Sequence, residues 1–317
     1  MITILGPTAS GKTSLAIALA ADLGGEIISA DSRQVYRGMD IGTGKDLADY
    51  CVNGKQIPYH LIDIVEPGEK YNLFQYQIDF HSALSDIESR GAQPILCGGT
   101  GLYIEAVLKG YQLAPVPENK PLRHSLDGKS LVELSEILAH LKSLTGSTMH
   151  NVSDIDTAQR AIRAIEIETF NLLNKNAGAS PYDAEKSLST FNLQPSTKLI
   201  FGVSISRDER RSRITQRLRK RLSEGMVDEV AGLLRRGISY EDLTYYGLEY
   251  KYVTDYVVGN TTYDEMFSRL EIAIHQFAKR QMTWFRGMER RGLPIHWIDH
   301  SLPLERKIEE IKLKLTR

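Results

Sequence analysis

Cysteine is scarce in this chain of 317 residues, which contains only Cys51 and Cys97. The two lie far apart and outside any Cys-x-x-Cys or Cys/His cluster, so we expect reduced, buried or half-buried thiols and neither a disulfide framework nor a zinc site. An excess of charge of one sign is also missing, because 39 Lys and Arg residues stand against 40 Asp and Glu residues. A nucleic-acid partner would therefore have to be bound by a local basic patch.

Long hydrophobic runs are absent too. No segment approaches the length of a membrane span, and the N-terminal MITILGPTASGKT has no basic region before a hydrophobic stretch. We therefore expect a cytoplasmic protein with no membrane partner. We also expect a monomer. The content of 42% hydrophobic and 25% charged residues is ordinary for a globular protein and excludes a disordered, collagen-like or coiled-coil chain.

What is present is an alternation of short apolar runs with segments of helical periodicity. Strands are predicted at residues 2–5, 26–29, 60–67 and 93–97, with helices after Lys12 and at 73–90. Strands that alternate with helices form a parallel sheet. The fold class is therefore predicted to be α/β, with helices on both faces of a parallel sheet.

The pattern changes after Tyr111. QLAPVPENKP is rich in proline, and a helical pattern without strand signals follows at residues 122–144. We assign residues 112–195 to an inserted all-helical domain, and residues 1–111 and 196–317 to a catalytic core with C-terminal helices. The later elements predicted in that core are a strand at 197–204, a basic helix from Arg207, a helix at 263–287 and an edge strand at 295–298.

A glycine-rich loop follows the first predicted strand and opens a helix. It fits the pattern G-x-x-x-x-G-K-[ST] with Gly6, Pro7, Thr8, Ala9, Ser10, Gly11, Lys12 and Thr13. Such a loop curls backbone N–H groups around a phosphate, with Lys12 on further phosphate oxygens and the Thr13 hydroxyl as a Mg²⁺ ligand. The default ligand is a nucleoside triphosphate such as ATP, although any diphosphate offers the same oxygens. The sheet is therefore predicted to be P-loop NTPase-like.

Polar residues follow two other predicted strands. Asp31 comes after the second strand, and Thr100 comes after the fourth, in the turn GGTG at residues 98–101. Because the carboxyl ends of parallel strands line one crevice, Asp31, Thr100 and the glycine-rich loop should converge. Asp31 is interpreted as a Mg²⁺ ligand through water or as a proton acceptor, with a helix N-cap as the alternative. Asp63 stays open between a site residue and a structural one.

Positive charge is concentrated in two C-terminal segments. Residues 207–221 hold eight Lys and Arg against two Asp and Glu, a local net charge of +6. Such a cluster suits a phosphate backbone, with a solvated helix face as the alternative. The second segment contains Lys279 and Arg280 together with Trp284, whose helical spacing with Phe277 favours a core position over RNA stacking.

Several motifs occur together in one order: GPTASGKT, DSRQVYRGMDIGTGK, GGTGLYIE, QRAIRAIEI, RITQR with EGMVDEV, and AKRQMTWFRG. In this order they resemble the tRNA dimethylallyltransferase family, also called tRNA isopentenyltransferase, from Ile4 to about Trp297. The resemblance implies transfer of a dimethylallyl group from dimethylallyl diphosphate to N6 of the adenine 3′-adjacent to the anticodon of tRNA. It further implies release of diphosphate, Mg²⁺ as cofactor and a tRNA anticodon stem-loop as partner.

The resemblance also implies roles for single residues. Asp31 corresponds to the base that accepts the N6 proton, Thr100 to the residue that contacts the target adenine, and Arg217 to the diphosphate clamp. Since stacking hides N6, the adenine must leave the stack and enter a channel. The residues expected to contact tRNA, from the resemblance and from the second basic segment, are Asp31, Ser32, Arg33, Gln34, Thr100, Arg123, Gln159, Arg160, Arg163, Lys279 and Arg280.

Two segments depart from the family's pattern. Where the family usually has Gly-Tyr-[Lys/Arg]-[Glu/Gln], this chain reads GLEY at residues 247–250, with Leu248 in place of the tyrosine. The usual Thr-Arg before AKRQ is replaced by Ile274 and His275. Both departures lie in the half of the chain that is expected to face RNA.

Other proteins use a similar loop. An adenylate isopentenyltransferase would act on free AMP, ADP or ATP and would need neither the inserted unit, with Arg160 and Arg163, nor the basic C-terminal helices. A P-loop kinase would use Asp31 to deprotonate a hydroxyl acceptor, would use residues 112–195 as a lid and would turn over ATP. A P-loop binding protein without enzymatic activity is a further alternative. In such a protein the Asp31 carboxylate and the Thr100 hydroxyl would have no purpose at the crevice, which argues against it.

Overall fold

The computed structural model describes residues 1–111, 113, 116–147, 155–176 and 199–315. The chain divides into two units, the first made of Met1–Tyr111 with Leu193–Arg317 and the second of Gln112–Asn192. The domain boundary that the sequence analysis sets at residue 195, and the first two residues of the strand predicted at 197–204, lie outside the described residues.

Short apolar, β-branched runs form the centre of the first unit. The strands in chain order are β1 (Ile2–Leu5), β2 (Gly25–Ala30), β3 (Cys51–Val52), β4 (Lys55–Gln56), β5 (Tyr59–His60), β6 (Gln93–Gly98), β7 (Leu199–Ser204) and β8 (His296–Asp299). Within the described residues, six of them form a parallel sheet in the order β5-β2-β6-β1-β7-β8, while β3 and β4 pair as an antiparallel hairpin. The predicted parallel sheet is confirmed.

Helices occupy most of the remaining described residues. In chain order they are α1 (Lys12–Leu23), α2 (Leu73–Ser89), α3 (Gly101–Lys109), α4 (Lys120–Leu126), α5 (Leu131–Thr145), α6 (Ala158–Asn176), α7 (Arg207–Ser223), α8 (Met226–Arg235), α9 (Tyr240–Tyr245), α10 (Leu248–Val257), α11 (Tyr263–Arg290) and α12 (Leu304–Leu315). A 3₁₀ turn covers Leu47–Tyr50. Cys97 is buried as expected, but Cys51 in the β3–β4 hairpin is exposed, so the expectation of a buried or half-buried thiol is wrong there. Over the described ranges, no helix combines the length and the apolar character needed to cross a membrane.

Neighbouring residues of a buried strand point to opposite faces of the sheet. Ile4 of β1 belongs to one buried cluster with Leu15 of α1. Leu5, the next residue, belongs to another cluster with Ile104 of α3 and Phe285 of α11. Helices therefore cover both faces of the sheet, as the alternation of strands and helices predicts.

The strand predicted at residues 60–67 is wrong over most of its length. The structure pairs only Tyr59–His60 with β2. Leu61 and Asp63 then take left-handed backbone angles, with φ of 62° and 56°. An extended strand does not continue through such angles, so the strand ends there, and an isolated parallel bridge between Val65 and Tyr36 follows.

The described part of the second unit is helical, as the pattern at residues 122–144 predicts, and two helices share that segment. Gly128, with φ of 75°, separates α4 from α5. Ser130 then caps α5, because its side chain accepts a hydrogen bond from the backbone N–H of Glu133. The break follows from local turn and cap residues that the helical periodicity does not register.

Candidate active site

The loop between β1 and α1 has the backbone of a phosphate-binding loop. Ala9 and Gly11 have positive φ angles of 64° and 86°. A Cβ atom on Gly6 would lie 2.6 Å from the Ser10 hydroxyl oxygen, so close packing requires a glycine there. Gly11 is the N-cap of α1. The loop thus ends at a helix N-terminus, where unpaired backbone N–H groups attract anions.

Two helices from the C-terminal part of the chain contact this loop at Thr8. Arg217 of α7 donates a hydrogen bond from Nη2 to the Thr8 hydroxyl oxygen. Gln281 of α11 accepts a hydrogen bond from the Thr8 backbone N–H at 2.8 Å and donates one to the Gly99 carbonyl oxygen at 2.9 Å. The phosphate loop is therefore packed against side chains that lie more than 200 residues further along the sequence.

The ends of β2 and β6 are joined by direct hydrogen bonds. The Thr100 backbone N–H donates to the Ala30 carbonyl oxygen at 3.1 Å, and the Ser32 backbone N–H donates to the Thr100 hydroxyl oxygen at 3.1 Å. The Asp31 carboxylate accepts the Arg33 backbone N–H at 3.0 Å. The structure thus brings Asp31 and Thr100 together at the carboxyl edge of the sheet.

These residues line a cavity of about 520 Å³, a size in the usual range of small-molecule sites. The sequence-predicted site residues in its wall are Thr8, Lys12, Thr13, Asp31, Ser32, Arg33, Gln34, Thr100, Arg217 and Arg280. Lys279 is exposed on α11. The other predicted residues of the phosphate loop do not line the cavity: Gly6, Pro7, Ala9, Ser10 and Gly11.

Positive charge is concentrated in this cavity. Burial lowers the pKa of Lys12, and burial followed by repulsion from Arg221 lowers the pKa of Arg217 to about 10. Among the described residues, no ion pair joins Lys12 or Arg217 to a carboxylate. Burial raises the pKa of Glu249, against the attraction of Arg221 and Arg217. An anionic ligand would relieve the repulsion among these cations.

The segment that follows Asp31 is anchored by a buried lysine. Lys45 is 1% exposed, and its Nζ donates to the Tyr36 carbonyl oxygen at 2.7 Å and to the Asp40 carboxylate at 2.6 Å. It also donates to the Asp63 carboxylate. Asp63 is thus a partner of Lys45, whose charge is held by three oxygen acceptors.

A second anchor of this segment involves one of the departures from the family's pattern. Glu229 of α8 accepts the backbone N–H groups of Asp40, Ile41 and Gly42 at 2.8, 2.8 and 3.0 Å, and the Tyr250 hydroxyl at 2.6 Å. A Cβ atom on Gly42 would lie 2.7 Å from the Tyr250 ring. The tyrosine at the usual Glu or Gln position therefore has its own hydrogen-bond and packing partners.

Two other departures, Leu248 and His275, change the polar groups and the charge available at their positions. Leu248 lies in the cavity wall, without the hydroxyl that a tyrosine would bring. Burial, then the charge of Arg211, lowers the pKa of His275, while Glu271 acts in the opposite direction. A neutral imidazole at this position carries less positive charge than the usual arginine.

The four tRNA-binding residues predicted in the second unit lie in two different settings. Glu166 is 2% exposed and accepts two hydrogen bonds from Arg123, each at 2.8 Å. Arg163 donates to the same carboxylate at 3.0 Å. Gln159 and Arg160 are exposed on the first turn of α6. Two of these four side chains therefore have a buried protein partner.

Arg221, Tyr245 and Gln281 are among the residues of the cavity wall that the sequence-based prediction of the site leaves out. Arg221 follows Arg217 by one helical turn, a spacing that would have revealed it. Tyr245 is 48% exposed and no pattern marks it. Gln281 has no local signal, because its partners lie 273 and 182 residues away. Trp284, expected in the core, is 36% exposed and lies in the same wall.

A parallel sheet with such a loop after an inner strand defines an α/β protein of the P-loop class. A family model described as IPP transferase matches residues 34–288, and one described as isopentenyl transferase matches residues 1–57. The chain belongs to the IPP transferase family, and the family resemblance of its motifs is confirmed.

Similar proteins match over nearly their whole length. A tRNA dimethylallyltransferase 2 of Bacteroides fragilis is 60% identical over 99% of this chain and 97% of its own. A tRNA dimethylallyltransferase 1 of Parabacteroides distasonis is 62% identical over 97% and 95%, respectively. The crystal structure of a tRNA isopentenylpyrophosphate transferase from Bacillus halodurans is 32% identical, with a TM-score of 0.69 over 99% of this chain and 95% of that one.

Proposed function

We propose that this chain is a prenyltransferase that moves a dimethylallyl group from dimethylallyl diphosphate to N6 of the adenine 3′-adjacent to the anticodon of tRNA. In this reaction N6 forms a bond to C1 of the allyl group, the C1–O bond breaks, and diphosphate leaves with the electron pair. The observation that carries the proposal is that one cavity holds the phosphate loop, Arg217 and the neighbouring Asp31 and Thr100. The names of the similar proteins support the same activity.

Lys12 and Arg217 are the proposed diphosphate-binding cations. Both line the cavity, and burial lowers the pKa of each. The pKa of Arg217 falls only to about 10, so its guanidinium stays charged near neutral pH. Negative charge on the diphosphate grows as the C1–O bond breaks. Fixed cations in a poorly solvated site stabilise such charge in the transition state more than in the ground state.

Asp31 is the proposed proton acceptor for N6. Its Oδ1 accepts the Arg33 backbone N–H at 3.0 Å, which orients the carboxylate. General bases that are held in this way typically contribute 10²- to 10⁴-fold, roughly, to a rate. Thr100, whose hydroxyl oxygen accepts the Ser32 N–H, is the proposed contact to the adenine ring.

Mg²⁺ is the proposed cofactor, with Thr13 as its protein ligand. Across the described residues, no group of three or more His, Cys, Asp or Glu is arranged to hold a metal ion. Mg²⁺ is commonly held by one or two protein oxygens together with substrate phosphates and water, and the Thr13 hydroxyl supplies such an oxygen in this cavity. When bound, Mg²⁺ would neutralise part of the charge on the departing diphosphate.

The tRNA contacts are proposed at two places. Around the cavity they come from the segment 32–34 and from the basic end of α11, including Lys279 and Arg280. In the second unit they come from Gln159 and Arg160, which are exposed. Arg123 and Arg163 donate hydrogen bonds to Glu166. They can contact tRNA either by giving up these bonds or through the N–H groups that do not bind Glu166.

The test offers labelled dimethylallyl diphosphate and Mg²⁺ to the protein with one acceptor at a time: an unmodified anticodon stem-loop, AMP or ATP. We expect label on the stem-loop, and none on a control stem-loop in which guanine replaces the target adenine. Label on AMP alone would replace the proposal with adenylate prenylation. ATP hydrolysis without label transfer would replace it with a kinase.

A further inference from the structure

Gln281 joins two loops that the proposed reaction has to hold together. The side chain lies on the buried face of α11 and is 8% exposed. Its Oε1 accepts the Thr8 backbone N–H at 2.8 Å, and its Nε2 donates to the Gly99 carbonyl oxygen at 2.9 Å. Thr8 belongs to the phosphate loop, and Gly99 precedes Thr100. One carboxamide therefore bridges the proposed diphosphate site and the proposed adenine contact.

The fit of α11 against the turn at residues 98–101 is close. A Cβ atom on Gly99 would lie 2.5 Å from Nε2 of Gln281. One turn further along the helix, a Cβ atom on Gly101 would lie 2.2 Å from the Trp284 ring. A side chain at either position would force Gln281 or Trp284 to shift, so the approach of α11 gives the GGTG turn a second purpose besides access for a ligand.

The chemistry of the bridge calls for an amide. The planar carboxamide of glutamine offers an oxygen acceptor and an NH₂ donor. An ionised glutamate only accepts hydrogen bonds, and the thioether of methionine is a weak acceptor that cannot donate. The acceptor meets the N–H of Thr8 and the donor meets the carbonyl of Gly99. Replacing the amide therefore breaks one or both connections while the length of the side chain is kept.

We propose that Gln281 is a positioning residue that sets the spacing between the phosphate loop and the Thr100 turn, and so aligns the leaving diphosphate with the acceptor adenine. This inference rests on the proposed function. Gln281 acts through Thr8 and Gly99, the two residues whose backbone it hydrogen-bonds. A misplacement of about 1 Å between reacting groups lowers a rate by roughly 10²-fold, so the loss of two hydrogen bonds suffices for a large effect.

The first test compares Gln281→Met, which loses both bonds, with Gln281→Glu, which keeps an acceptor for Thr8. Gln276→Met is the matched control, since Gln276 is exposed on the same helix. We expect the maximal rate of label transfer to the stem-loop to fall about 10²-fold in the methionine variant, less in the glutamate variant and not in the control. The KM for dimethylallyl diphosphate should stay within about threefold. An unchanged rate, or a loss confined to KM, would overturn the proposal.

The second test does not depend on transfer. The chain has two tryptophans, so Trp297→Phe leaves Trp284, next to Gly101, as the reporter. We expect inorganic diphosphate with Mg²⁺ to change the fluorescence of Trp284. Adding Gln281→Met should reduce that change at least about threefold while the diphosphate Kd stays within about threefold. Circular dichroism melts verify that each variant is folded.

The two tests separate the bridge from the function. No fluorescence response in the Trp297→Phe chain, or an equal response after Gln281→Met, would overturn the bridge even if label transfer proceeds. The expected response without any label on the stem-loop would leave the bridge in place and remove the proposed function.

Discussion

The cations of the cavity and the cations of the second unit differ in what they bind. Among the described residues, Lys12 and Arg217 have no carboxylate partner, and Arg217 donates instead to the Thr8 hydroxyl. Arg123 and Arg163 share the buried carboxylate of Glu166. A desolvated cation without an ion-paired carboxylate favours an anionic ligand, whereas cations around a buried carboxylate are already compensated by the protein.

The difference separates residues that serve a ligand from residues that hold the fold. It supports the proposed diphosphate site in the cavity and indicates a structural task for Arg123 and Arg163 in the second unit. Substitutions in the two regions should therefore change different measured quantities: rates and ligand affinity in the first region, and the free energy of unfolding in the second.

The largest effect is expected at the proposed base. Asp31→Asn keeps the size of the side chain and removes the proton acceptor, so the single-turnover rate of label transfer should fall about 10²- to 10⁴-fold. The diphosphate Kd should change little, because the phosphate loop is separate from Asp31. An equal loss of rate and of diphosphate affinity would show that Asp31 serves the loop instead.

Arg217→Met should have the next largest effect. Loss of one preorganised charge at the leaving group typically lowers a rate by about 10²- to 10³-fold. The matched control is Arg306→Met, because Arg306 is exposed on α12 and pairs only with Glu309 among the described residues. Steady-state kcat/KM measures both variants. Equal values for the two would contradict a diphosphate role for Arg217.

Arg123→Met should act on stability. It removes two hydrogen bonds from the buried Glu166 carboxylate and leaves Arg163 as its remaining arginine partner. We expect the free energy of unfolding to fall by about 1–3 kcal/mol in a urea titration, with an unchanged KM for dimethylallyl diphosphate. A rise in that KM at unchanged stability would move Arg123 to the active site.

Acid should destabilise the protein through the same carboxylate. Burial alone would raise the pKa of Glu166, but hydrogen bonds from Arg123, the Asn119 backbone N–H and Arg163 outweigh it and lower the pKa. A lowered pKa stabilises the fold above the unfolded value of about 4.3, and this stabilisation is lost as pH falls through the folded pKa. The protection factors of the amides in α6, which correct for the intrinsic pH dependence of hydrogen exchange, should therefore fall below about pH 4.3. Glu166→Gln should flatten this dependence, and an unchanged profile would contradict it.

The smallest effect is expected at Arg160. This side chain is exposed and pairs with Asp156 on the helix surface, so it contributes little to stability. If Arg160 contacts a tRNA phosphate, Arg160→Met should reduce the slope of log Kd against log salt by about 0.7–0.9. Arg306→Met is again the control, and an unchanged slope would remove Arg160 from the RNA surface.

The sequence predicts those parts of the fold and site that depend on short stretches of chain or on a general rule of sheet topology. The phosphate loop is readable because its glycines and Lys12 lie within eight residues, and the sheet because each buried strand is a short apolar run. The meeting of Asp31 and Thr100 follows from a rule of topology, since parallel strands end at one edge.

The parts that depend on distant contacts are missed. Leu61 and Asp63 turn the chain through left-handed angles, where Asp63 meets Lys45. Gln281 reaches Thr8 across 273 residues. Glu166 looks like any acidic residue of a helix until its burial between two arginines is known. Tertiary packing decides each of these, and no local periodicity records it.

The most direct test of the contrast between the two regions is a calorimetric titration of inorganic diphosphate with Mg²⁺ into three proteins: the unchanged chain, Arg217→Met and Arg123→Met. We predict that the diphosphate Kd rises at least about tenfold in Arg217→Met, which corresponds to about 1.4 kcal/mol, and stays unchanged in Arg123→Met. A diphosphate Kd that rises in Arg123→Met and not in Arg217→Met would contradict the assignment of the anion to the cavity.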